Sequence, residues 1–254
     1  MRRLTAAEFR KLVTIRLGLW ILLASVAWAA GYTALALTYG SRAGGLTPPL
    51  TSAAGQHALF AIGAGGAGPL AAVLGAAAVA GEFRHRTAAT TFLVTPRRGQ
   101  VMGAQLITYL VAGIVLALAC TAVSLAITLP WLHARGVAIS LTGHGNLAVL
   151  GGIIVSAAVL GAAGAGLGAL AGGQLTAVAS LLIYLYVAEP VVSHITALNA
   201  WTPYLPGVAA DGLTQAAQAG VRLLAPWLGG VVLAAWAAAL AAAGTVRTLR
   251  RDLT

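Results

Sequence analysis

Six uninterrupted apolar runs divide the chain: Leu17–Leu37, Ala58–Ala80, Met102–Leu129, Leu147–Ala171, Leu175–Leu198 and Leu223–Gly244. A hydrocarbon core about 30 Å thick needs about twenty helical residues, and every run reaches that length. Lipid offers no water to backbone N–H and C=O groups, so a spanning segment must be a helix or a strand of a closed barrel. Barrel strands alternate apolar and polar residues over about ten positions. These runs do not alternate; alanine and glycine dominate them, and β-branched residues are sparse. The expectation is an all-α polytopic membrane protein with six transmembrane helices. Composition agrees, since 59% of the 254 residues are hydrophobic and only 8% charged, against about 25% charged in soluble domains.

Charge placement orients the runs. Arg2, Arg3, Arg10, Lys11 and Arg16 precede the first, Arg84, Arg86, Arg97 and Arg98 follow the second, and Arg247, Arg250 and Arg251 follow the sixth. The other side holds Arg42, Arg135 and Arg222. Twelve basic residues against three place both termini in the cytoplasm by the positive-inside rule. Tyr32, Tyr39, Trp131, Trp201, Tyr204 and Trp227 fall near the opposite boundary, where amphipathic rings are favoured. Gly172-Gly173-Gln174 leaves room only for a tight hairpin between the fourth and fifth runs. A cleavable signal peptide ending near Ala27-Trp28-Ala29 is the competing reading of the first run, but that run stays apolar to Leu37. The organisation read is an interfacial helix over residues 1–16, a transmembrane domain over 17–246 and a cytoplasmic tail over 247–254.

Three segments can carry chemistry or coupling. In the first, Thr5-Ala6-Ala7-Glu8 fits a capping box with Thr5 as N-cap, and Leu4, Phe9, Leu12, Val13 and Ile15 share an apolar arc. That predicts a short helix on the inner leaflet carrying Glu8, Phe9, Arg10 and Lys11; a plain basic anchor is the alternative. The second is the connection 81–100, where Glu82, Phe83, Arg84 and Thr87 lead into Thr91, Phe92, Leu93 and Val94, and Pro96, Arg97 and Arg98 close it. An apolar stretch between charged ends suits a short helix docking on a partner, stopped by Pro96. A loop dipping into lipid has the same composition, and both readings stay open.

The third is Glu189-Pro190. It lies about 21 Å along the fifth run at about 1.5 Å per residue. An acid at that depth is a functional candidate by default, and Pro190 is expected to kink or break the helix. Glu189 gating the outer end of a translocation path and Glu189 meeting water or Arg222 at the interface remain the two readings. Glycines at 161, 164, 168 and 172, with Gly151-Gly152 before them, form a small-residue stripe expected to pack inside one subunit. Gly63, Gly65, Gly66 and Gly68 before Pro69 predict a kink in the second span.

With these residues in view, the sequence resembles the permeases of ABC-2-type transporters. The resemblance rests on Glu82-Phe83-Arg84-His85-Arg86-Thr87, then Thr90-Thr91, then Leu93-Val94-Thr95-Pro96-Arg97-Arg98, all between the second and third runs. Many actinobacterial members also begin with a Glu-Phe-x-Lys-Leu pattern, here Glu8-Phe9-Arg10-Lys11-Leu12, and carry a Tyr-Leu-Pro segment, here Tyr204-Leu205-Pro206. Arg86 departs from the family, where a glycine commonly precedes the threonine. The resemblance implies a type-2 ABC exporter permease in a bacterial inner membrane, pairing with a second permease, either another copy of itself or a different one, and with two cytoplasmic ATPase subunits. It implies that loop 81–100 is the coupling element riding on the ATPase, that residues 189–222 form an outer re-entrant segment, and that ATP and magnesium bind the partner. An amphiphile such as a lipid, drug or antibiotic would be the cargo, moved outward.

Other classes fit less well. The net charge of +10 sits at the ends of the apolar runs, at headgroup level, which speaks against nucleic acid. The only lysine, Lys11, follows no Gly-rich loop, so this chain has no nucleotide-binding motif and is not read as an enzyme. No cofactor or metal is expected: Cys120 is alone, and no His/Cys/Asp/Glu spacing matches a metal site. A secondary transporter would need ionisable residues in several spans. The remaining alternative is a six-span immunity, sensing or assembly factor that transports nothing.

Overall fold

The computed structural model describes residues 2–14, 16–40, 47–84, 98–137, 145–216 and 221–250. Ten α-helices and no strands are found among them. They are α1 Arg2–Thr14, α2 Arg16–Tyr39, α3 Ala53–Ala64, α4 Ala67–Arg84, α5 Arg98–Ala134, α6 Asn146–Ala171, α7 Gln174–Ile183, α8 Glu189–Ser193, α9 Pro206–Thr214 and α10 Pro226–Arg250. Among the described residues, six segments are long and apolar enough to cross a membrane: Arg16–Tyr39, Ala53–Glu82, Gly99–Ala134, Asn146–Ala171, Gln174–Ser193 and Pro226–Thr248. Each contains most of one expected run. Six crossings return the chain to its starting side, so α1 and the end of α10 share one end of the bundle, called here the terminal end; the other is the distal end.

Two local predictions change in detail. Thr5 is not an N-cap, because α1 already begins at Arg2 and Glu8 turns to Lys11. An earlier start places Thr5 inside the helix and removes the need for the box. The fifth span stops at Ser193, short of the expected Leu198, and passes into 3-10 turns at Thr196–Leu198 and Thr202–Tyr204. The expected kink in the second span is present, as a break between α3 and α4. Pro69 has no N–H for the carbonyl of Gly65, and the Gly68 N–H takes that carbonyl instead at 3.2 Å.

Helix α6 is the axis of the bundle, with 67% of its spanning window buried and packed faces on α4, α5, α9 and α10. Its glycines make this possible. A Cβ on Gly164 would run into the carbonyl of Ala72 on α4, one on Gly161 into the carbonyl of Tyr109 on α5, and one on Gly152 into the carbonyl of Leu213 on α9. A Cβ on Gly166 would sit 2.7 Å from the backbone nitrogen of Ala241 on α10. Lipid supplies no hydrophobic force between helices, so close backbone approach and dispersion must hold them. Gly172 works differently: at φ 73° it is the left-handed cap of α6, its N–H returning to the Gly168 carbonyl. That cap ends α6 and starts the hairpin into α7.

Candidate functional site

Among the described residues, two clusters built around carboxylates stand out, one at each end of the bundle, while buried uncharged pairs join Asn146 to Gln56 and Thr33 to Ser124. At the terminal end, α1 lies against α2 and α5. Lys11 sits one turn after Glu8, and its Nζ reaches Glu8 Oε1 at 2.7 Å and Glu82 Oε1 at 3.3 Å. Gln105 Nε2 donates to the other oxygen, Glu82 Oε2, at 2.9 Å. Helices α1, α4 and α5 are thereby tied together where loop 81–100 leaves and re-enters the bundle. Glu8 is buried, and Tyr109 packs buried beside the cluster. A cleft of about 380 Å³ opens here between Leu12, Leu17, Leu74, Glu82, Tyr109 and Gln174.

Burial alone would lower the Lys11 ammonium, but its hydrogen bond to Glu8 and the charges of Glu82 and Glu8 hold it above the ordinary 10.5. The share of the brace that rests on the Lys11 charge is therefore lost as the pH climbs through that raised value, and the brace is lost in acid as well, once its carboxylates are protonated. Lys11→Met is expected to destabilise the protein by about 1–2 kcal/mol at neutral pH. The loss leaves a buried carboxylate without its cation, reduced because Lys11 itself is half-exposed. Thermal unfolding in detergent would read this, and Glu8→Gln in the same chain should restore most of it.

The other predicted residues of this end divide. Phe83 and Arg84 extend α4 and Arg98 opens α5, while Phe9 is half-buried and Arg10 exposed on α1. Thr87, Thr91, Phe92, Pro96 and Arg97 lie outside the described residues. Gln105 escaped the sequence reading, although a carboxamide inside a long apolar run was the signal that could have found it.

At the distal end, Glu189 is buried at 5% exposure and faces α9 rather than Arg222. Val208 N–H donates to Glu189 Oε1 at 2.7 Å, and the Gly207 N–H points at the same carboxylate. These are the second and third residues of α9, whose own N-cap, Leu205, offers no side-chain acceptor. The first residue, Pro206, has no N–H to satisfy. A carboxylate from the fifth span thus supplies the cap that α9 lacks, where the helix dipole favours negative charge. Gly207 is required by the approach, since a Cβ there would sit 2.7 Å from Oε1.

The backbone before Glu189 is adapted to Pro190. Residues Tyr184–Ala188 form a π-turn, with the Glu189 N–H reaching back to the Tyr184 carbonyl. The wider turn absorbs the missing proline donor, so the helix passes Pro190 and ends at Ser193 instead of breaking at the proline. Trp236 Nε1 on α10 donates to the Tyr204 carbonyl at 2.9 Å, fixing the approach to α9 from the other side. Helix α9 then packs on α6 and α10 with Val208, Ala209, Gly212 and Leu213 buried. Tyr184, Gly207 and Val208 were not singled out from sequence, because their role exists only once α9 folds back onto the fifth span.

No family model, curated protein or solved structure matches this chain.

Proposed function

We propose that this chain is the membrane-spanning subunit of an ABC-2-type exporter, with the terminal end in the cytoplasm and a separate ATPase docked on loop 81–100. The observation that carries the reading is the Lys11–Glu82–Gln105 tie at the roots of that loop. A push on the loop is delivered to α1, α4 and α5 together, because one cluster of charge-assisted hydrogen bonds joins all three. Helix α4 bears directly on the axial helix α6, which carries α9. The excess of basic residues at this end supports the cytoplasmic assignment. A cytoplasmic ATPase would supply the nucleotide and magnesium sites, and a second permease copy would complete the pathway. The cargo under this reading is an amphiphile.

The reading is tested by co-expressing the chain with a cytoplasmic ABC-type ATPase from the same genome and purifying on a tag carried by the permease. Stoichiometric recovery of the ATPase is expected, falling at least about tenfold for Phe92→Asp, since burying an unpaired charge in an interface costs several kcal/mol. Equal recovery with wild type and Phe92→Asp would remove loop 81–100 as the docking element.

A further inference from the structure

The cleft at the terminal end holds polar groups that the brace does not use. Its apolar side is built from Leu12 of α1, Leu17 of α2, and Leu74, Ala77 and Ala78 of α4. From Glu82 back to Leu74 it runs about 12 Å along α4, at about 1.5 Å per residue. Its polar side gathers Lys11, Glu82, Tyr109 and Gln174.

Tyr109 sets the chemistry of the cleft. It stands on the third span, which begins at Gly99, about 15 Å in from that start, and it is only 5% exposed. The charges of Glu82 and Glu8 reach its phenol, yet neither carboxylate bonds to it, and among the described residues its hydroxyl has no hydrogen-bond partner. Unlike the hydroxyls of Thr121 and Thr128, which are sealed inside the bundle, this one opens on the cleft that Tyr109 lines. A buried hydroxyl without a partner calls for one. The Gln174 carboxamide, half-buried at the start of α7, lies beside Gly81 on the same side and also makes no hydrogen bond among the described residues.

Charge gives the sign of the missing partner. Two carboxylates surround one ammonium in the brace, and Lys11, the cation of the lining, is already shared between them. An anionic head would enter against those carboxylates. A protonated amine instead finds acceptors in the Tyr109 hydroxyl, the Gln174 carbonyl oxygen and the edge of Glu82, with the phenol face favouring a cation as well. Water would satisfy the polar side but leave the apolar walls of α1, α2 and α4 without contacts.

We infer that this cleft binds a single-chain primary alkylammonium, its head between Tyr109, Gln174 and Glu82 and its chain along α4 toward Leu74. Glu82 keeps its bonds to Lys11 and Gln105. The head thus lands on the brace that joins α1, α4 and α5. Binding requires no nucleotide and no ATPase, and the inference stands apart from the exporter reading.

The test uses the full chain in phosphatidylcholine nanodiscs and dodecylamine carrying a mid-chain diazirine, with mass spectrometry locating the crosslinks. Expected is saturable labelling of residues 74–82 and of α1 around Leu12. Unlabelled dodecylamine should compete at least about tenfold better than dodecanol or dodecyl sulfate, because hydrogen bonds to a charged group are at stake. Tyr109→Phe keeps the ring and loses only the hydroxyl, and should weaken competition by about five- to tenfold. Ala78→Leu, at a half-buried position, fills the cleft and should weaken it by about tenfold. Labelling that does not saturate, that spreads evenly over the spans, or that is unchanged by Ala78→Leu would overturn the site. Equal competition by amine and alcohol, or an unchanged Tyr109→Phe, would overturn the ammonium and its anchor; stronger competition by the sulfate would reverse its sign. Phosphatidylethanolamine competing as well as dodecylamine would overturn the single chain and give the cleft to a lipid headgroup.

Discussion

Glu189→Ala is expected to destabilise the distal end by about 2–4 kcal/mol, because it strips a buried charge-assisted cap from α9. Two N–H groups, those of Gly207 and Val208, would then face a cavity with no acceptor, and Pro206 cannot compensate. Glu189→Gln keeps a carbonyl oxygen in place and should lose much less, about 1 kcal/mol, by giving up the charge–dipole part alone. Gly207→Ala attacks the same contact from the other side, since its Cβ would press on the carboxylate. The two substitutions should therefore be strongly non-additive: Glu189→Ala with Gly207→Ala should cost scarcely more than either alone. Thermal unfolding of the four proteins in one detergent checks this. Additive losses would show that the cap is not shared.

The second large effect is expected in the middle of the bundle. Gly164→Leu places a branched side chain where a Cβ alone already overlaps the Ala72 carbonyl. Neighbouring helices on all sides of α6 leave it no rotamer to escape into, so α4 must move away from the axis. Overpacking of this kind costs about 3 kcal/mol or more. The matched control is Gly151→Leu on the same helix, where a Cβ meets nothing within 4 Å. That variant should unfold within about 0.5 kcal/mol of wild type. Size-exclusion profiles and melting curves distinguish the two. Comparable behaviour of both variants would contradict the close approach of α4 and α6.

These two regions also show what a sequence can and cannot disclose in a membrane chain. The spans were legible because lipid imposes a length and a composition on every crossing, and nothing else in the fold needs to be known. The stripe at Gly161, Gly164 and Gly168 was legible as a packing face for the same reason, but its partners Tyr109, Ala72 and Ala76 depend on how the helices are arranged. Gly172 stood in the same stripe by spacing, yet its left-handed backbone makes it a helix terminus. Glu189 stood out because an acid in an apolar run is costly. Its ligands did not, because backbone N–H groups carry no signature in side-chain identity and the pairing joins residues 189 and 208 across two 3-10 turns. Thr5 misled for a related reason: a capping box is a local pattern, and α1 starts three residues before it.

The terminal-end cluster combines both cases. Glu8, Lys11 and Glu82 were singled out separately, as parts of a basic anchor and of a loop, and only the fold joins them into one brace. Gln105 completes it from α5. The proposed exporter links this brace to the capped α9 at the other end through α4 and α6.

The most direct test of that link is ATP turnover by the chain and its co-purified ATPase in one nanodisc, measured with and without a single-chain amphiphile. The account predicts that the amphiphile changes turnover severalfold and that Glu189→Ala, at the far end of the bundle, abolishes the response while the ATPase stays bound. Turnover indifferent to every amphiphile, with the ATPase bound, would contradict transport and favour a sensing or immunity role for the same scaffold.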